Sequence, residues 1–249
     1  MKSSHLLLAT AAILASAACN AEKGSESAGG TSTPVEAVKP PANGDWSTVV
    51  TQTSTGGFLM GNPDAKVKLA EFGSLTCPHC AEFDQRGVPQ LVEKYVKGGQ
   101  VSYEFRNYVR DPFDIAVSLI ARCNGSKSFF PLTHALFKDQ ADWMGRLQTV
   151  PEAQIQALTA MGPERQFLEI AKVAGMQQWA AMRGVPTAKS TQCLTDQEAV
   201  NQLVQMNSDA TNEFPDMPGT PTFVINGKMV ENAGTWELLE PQIREALGR

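Results

Sequence analysis

Histidine is nearly absent from this chain, and its scarcity removes whole classes of chemistry. Only three occur, His5, His79 and His134. Zinc held by side chains ordinarily needs four ligands, as two CxxC pairs or one CxxC with a spaced pair of histidines. The chain has one CxxC, formed by Cys77 and Cys80, and no second, so no metal site is expected. A c-type haem needs histidine directly after the second cysteine, and that position is Ala81. Basic clusters are lacking as well. Lys and Arg number 21 against 26 Asp and Glu, a net charge of -5, with no patch to neutralise a phosphate backbone, which argues against nucleic acid as a partner. A permanent membrane helix is also missing, because the apolar run at residues 6–15 is too short to span a bilayer. What remains is an ordinary globular composition, 42% hydrophobic over 249 residues, enough for one large domain or a domain with an insertion.

The N-terminus has the layout of a secretory signal over residues 1–18: Lys2, the apolar run, then Ser16-Ala17-Ala18 before Cys19. Two cleavage readings stand. Ala15-x-Ala17 suits an ordinary signal peptidase, whereas small residues directly before Cys19 resemble a bacterial lipobox that would lipidate this cysteine and tether the chain to a membrane, although Ser16 stands where leucine is usual. Residues 19–44 are rich in Gly, Ser, Thr, Ala and Pro and cannot bury enough surface to offset their ordering entropy. They are expected to form a flexible tether reaching roughly 25 to 30 Å as a random coil. Export places the chain in an oxidising compartment, the periplasm or cell envelope, where disulfides persist. The five cysteines then divide into one lipidation candidate, Cys19, and two pairs.

Residues 45–249 carry the periodic patterns. The stretch KVKLAEFGS from Lys66 predicts a buried strand leading into the CxxC, and Pro78 suits the first turn of a helix that follows it. Pro89 implies a kink in that helix, Gly98-Gly99 ends it, and QVSYEFRNY alternates as a second strand. Strand, helix and parallel strand make a βαβ unit with the cysteines at its first strand-to-helix junction. Residues 112–213 contain helical spacing and no convincing strand, which predicts an all-helical insertion. A hairpin is expected at 222–225 and 228–230 around Asn226-Gly227, followed by a helix over 235–247 capped by Thr235. His134 reads as a structural histidine with no polar companion, and Trp143, Trp179, Met144, Met161, Met176 and Met182 read as core, some of the methionines also suiting a substrate groove.

The spacing of Cys77-Pro78-His79-Cys80 favours redox chemistry over bracing, because joining residues three apart closes too small a loop to remove much unfolded-state entropy. At a helix start the free backbone N–H groups and the helix dipole stabilise a thiolate at Cys77. His79 can add a donor to that sulfur, and Cys80, deeper in the helix, would be the resolving thiol.

CPHC after a strand containing Glu71, with Phe72 and Ser74 between, resembles the DsbA-like branch of the thioredoxin-fold disulfide oxidoreductases of the bacterial cell envelope. Gly219-Thr220-Pro221-Thr222 before FVINGK resembles that family's cis-proline loop and hairpin. The resemblance implies an α/β thioredoxin fold, a central mixed sheet flanked by helices with an inserted all-helical domain, and no cofactor. It makes Cys77 the exposed nucleophile and Cys80 its buried partner. Glu71 would be a buried acid serving the resolving thiol, where the residues alone also allow an edge-strand carboxylate. Gly219, Thr220 and Pro221 would form a substrate-binding loop, where the residues alone also allow a strand-opening proline. A second disulfide occurs within the helical domain of some members, which implies a Cys123–Cys193 pair, worth roughly 4 kcal/mol for so long a loop. Implied partners are reduced or unfolded exported proteins and a membrane redox partner. CPHC points to a disulfide-forming oxidase, and the threonine before the proline to the reductase and isomerase branches; a chaperone-like peptide-binding module is the third alternative.

Overall fold

The structure, a computed structural model, describes residues 40–249. The expected signal segment, Cys19 and residues 19–39 of the expected tether lie outside the described residues. Six strands form one mixed sheet: β1 (Val50–Gln52), β2 (Phe58–Met60), β3 (Val67–Gly73), β4 (Val101–Asn107), β5 (Thr222–Ile225) and β6 (Lys228–Val230), in the order β1-β2-β4-β3-β5-β6. β3 runs parallel to β4 and antiparallel to β5. It is therefore central, and every residue in it except Lys68 is buried, which explains its nearly continuous apolar reading. Helices cover the sheet: α1 (Pro78–Arg86) and α2 (Val88–Leu91) connect β3 to β4, and α11 (Trp236–Leu247) closes the chain. Pro89 has no N–H to give, and the path runs through Gly87 into α2 and a π turn, Val92–Val96.

Between β4 and β5 lie eight helices: α3 (Pro112–Arg122), α4 (Ser126–Lys138), α5 (Gln140–Gln148), α6 (Glu152–Thr159), α7 (Pro163–Val173), α8 (Met176–Ala181), α9 (Thr187–Leu194) and α10 (Gln197–Glu213). Asp111 caps α3 by accepting from the amides of Phe113 and Asp114, and Asp196 caps α10 by accepting from those of Glu198 and Ala199. Cys123 and Cys193 are joined as a disulfide, tying the end of α3 to α9. One apolar core runs from β3 and β4 into the helices. At its middle Phe129 of α4 stacks on Phe58 of β2 with centroids 4.0 Å apart. Among the described residues no helix is long and apolar enough to cross a membrane.

Several details differ from expectation. β1 and β2 were not foreseen, because three-residue strands are too short to show alternation. The expected all-helical stretch is broken at Asp139, which ends α4 and precedes α5. Met182 is 71% exposed rather than core. Thr235 occupies the N-cap position without a side-chain cap bond.

Candidate active site

The register of the sheet assembles the site. Phe72 pairs with Thr222, so the chain leaving β3 toward Cys77 passes beside Gly219-Thr220-Pro221 as it enters β5. The Thr220–Pro221 peptide is cis and Gly219 has φ +135°, a conformation side chains resist. Thr222 Oγ1 closes this loop by donating to Gly219 O at 2.7 Å. Across it, the Cys77 thiol donates to Thr220 O at 3.1 Å. Thr220 Oγ1 is buried and, among the described residues, has no hydrogen-bond partner.

Cys77 is the N-cap of α1, Pro78 its first residue, and Cys80 lies two positions further in. Both cysteines carry free thiols. The expected contrast of an exposed Cys77 with a buried Cys80 needs correction: Cys77 is only 3% exposed and Cys80 0%. Hydrogen bonding separates them. The Cys77 thiol is held down at about 5 chiefly by the Cys80 S–H, against the effect of burial, with further help from the amides of Cys80 and His79. Cys80 is pushed well above the ordinary thiol range, first by burial and then by its bond to Cys77. His79 is exposed and borders a groove of about 330 Å³ lined by Gly219, Thr220, Pro221, Phe223 and Val230.

Glu71 sits on β3, a central strand rather than an edge, at 1% exposure. Tyr103 Oη donates to its Oε2 at 2.5 Å. Burial outweighs that bond and pushes the Glu71 carboxyl up to about 8. Its ionised form raises the Cys80 thiol in turn. Tyr103 was visible beforehand only as an inward position of β4. Asp84, four residues beyond Cys80 on α1, was missed, and it overturns the reading of His134 as a histidine without polar company: His134 Nδ1 lies 2.6 Å from Asp84 Oδ2. Burial raises Asp84, and the bond to Asp84 raises His134.

A polar frame holds the loop before Cys77. Ser74 Oγ donates to Asp114 Oδ2 at 2.6 Å, and Leu75 N donates to Asp114 Oδ1 at 3.0 Å. Arg110 donates from Nε to Ser74 Oγ and from Nη2 to Thr76 Oγ1. Asp114 is fully buried, which pushes its carboxyl up to about 6. No sequence motif marks Asp114, because its bonds to Ser74 and Leu75 reach about forty residues back along the chain.

The family described as thioredoxin matches residues 53–245. The crystal structure of a protein-disulfide isomerase from Novosphingobium aromaticivorans is similar with a TM-score of 0.73 at 35% identity, covering 77% of this chain and 97% of that one. Wolbachia pipientis alpha-DsbA1 shares the fold with a TM-score of 0.61 at 21% identity, covering 76% and 90% of the two chains. A Rickettsia bellii protein with a provisional protein-disulfide oxidoreductase name is 28% identical over 176 residues, 70% of this chain and 59% of its own length. The chain thus spans about three fifths of that curated relative.

Proposed function

Because the chain belongs to the thioredoxin family, we propose that it is an exported DsbA-like thiol:disulfide oxidoreductase working through Cys77 and Cys80 on protein substrates, in the direction of disulfide formation. The unequal protonation of the two cysteines carries this reading. A substrate thiolate attacks Cys77 Sγ of the oxidised pair; the enzyme disulfide breaks, and Cys80 leaves and takes a proton, which its raised pKa favours. Glu71, still protonated at neutral pH, is a buried acid whose charge acts on Cys80, which suits it to supply that proton. A second substrate thiolate then attacks the substrate sulfur of the mixed disulfide and expels Cys77 as a stabilised thiolate. Two electrons pass to the enzyme, and the substrate gains one disulfide.

At pH 7 an ordinary thiol is still protonated, so only the part of the depression between pH 7 and about 5 is realised. That is about 100-fold in favour of the reduced enzyme, or about 60 mV for a two-electron couple. The groove beside the cis-proline suits an extended substrate chain laid against the Thr220 backbone. Reoxidation is assigned to a membrane redox partner, and the signal layout of residues 1–18 supports export, with Cys19 as the candidate for lipid attachment.

A second reading, reductase or isomerase, is favoured by Thr220 before the proline and by the name of the Novosphingobium protein. Equilibration of the purified protein with glutathione buffers decides between them. A potential near the DsbA value of about -120 mV is expected, and one near the thioredoxin value of about -270 mV would move the assignment to a reductase.

A further inference from the structure

Gln140 opens α5 in the helical insertion and is 7% exposed. Its Nε2 donates to Leu75 O at 2.8 Å and to Cys77 O at 3.0 Å. Both protons of one buried amide are therefore spent on the two carbonyls that flank Thr76, in the loop that delivers the nucleophile. We propose that Gln140 is a positioning residue for Cys77, fixing the two carbonyls that flank Thr76 and with them the start of α1, whose N-cap is Cys77. The inference rests on the redox reading above and extends it to a residue of the insertion.

The loop is gripped from two elements at once. The Leu75 peptide gives its N–H to Asp114 of α3 and its carbonyl receives Gln140 of α5. The Cys77 carbonyl also accepts the Ala81 N–H at 3.1 Å, the bond that closes the first turn of α1. Both its lone pairs are then filled, and rotation of the peptide after Cys77 would break two bonds together. That rotation would swing the His79 and Cys80 amides, the backbone donors that serve the thiolate. Gln140 has little freedom of its own. Asp139 beside it accepts from Trp179 Nε1 at 2.8 Å and from Arg183 Nη2 at 2.7 Å, and Trp143 Nε1 pins the corner between α4 and α5 by donating to Leu136 O at 3.0 Å.

The test follows the Cys77 thiolate by its ultraviolet absorbance across pH in the wild type, Gln140→Leu and Gln140→Glu, with the glutathione equilibrium and the melting of both redox forms. Gln140→Leu keeps most of the volume and loses both donors. It should lower the thiolate population about tenfold at a given acidic pH and make the couple less oxidising by about tenfold, or about 30 mV. Gln140→Glu keeps the shape and offers one donor only while protonated, so it should move the titration the same way above its own ionisation; it decides the matter if the leucine variant does not fold. Equal destabilisation of both redox forms with an unchanged Cys77 titration and potential would reduce Gln140 to packing and overturn the proposal. A wild-type thiol that titrates near 9 would instead defeat the redox reading itself.

Discussion

Glu71 and Cys77 are both buried acids, and their surroundings drive them in opposite directions. Cys77 meets several donors, so its anion is favoured; Glu71 meets one, from Tyr103, and burial keeps it neutral. For Glu71 this has a thermodynamic sign. The unfolded chain releases the carboxyl proton near 4.5, whereas the folded chain holds it to about 8, so the native state loses stability progressively between those values and stays penalised above them. Glu71→Gln removes the penalty while keeping the shape. The variant should match or fall below the wild type in thermal stability at pH 4 and exceed it at pH 9, the gain growing at about 1.4 kcal/mol per pH unit within the window. Melting curves at the two pH values check this, and a gain that does not depend on pH would refute it.

Among the elements, the central strand and the disulfide between α3 and α9 act most directly on the site and on stability. Phe72 opposite Thr222 sets the cis-proline loop against Cys77, and a slip of one residue would turn every buried side chain of β3 to the other face. The Cys123–Cys193 bond spans 70 residues, and in the chain-entropy model such a loop contributes about 4 kcal/mol. Replacing both cysteines by serine should lower the melting temperature markedly and leave the Cys77/Cys80 potential unchanged, because the bond lies in the helices and not in the loop before α1. A changed potential in that variant would show that the disulfide also shapes the site. The long elements were legible in advance: β3, β4, the hairpin around Asn226-Gly227 and the capped helices α3 and α10 each carry their own periodicity or turn chemistry. β1 and β2 were not, since their formation depends on partners rather than pattern.

For the molecule as a whole, the sheet and the helical insertion share one interior. Phe129 touches Phe58, Phe105 and Phe130 with centroid distances of 4.0, 5.8 and 5.3 Å, so it joins α4 to two strands. Phe129→Ala should cost about 3 to 5 kcal/mol and lower a single melting transition seen alike by far- and near-ultraviolet circular dichroism. Two separated transitions would mean that the insertion folds by itself. The sequence by itself determined the CxxC spacing of Cys77 and Cys80, the helix start at Pro78, the βαβ unit and the hairpin, because these depend on residues within a turn or two of one another. Only the tertiary structure decided that Cys77 is buried, that Glu71 is central and bonded to Tyr103, that His134 meets Asp84, and that Asp114 and Gln140 hold the loop before Cys77. Those contacts join residues dozens of positions apart, and a polar side chain shows what it is for only when folding has removed water and left it a single partner.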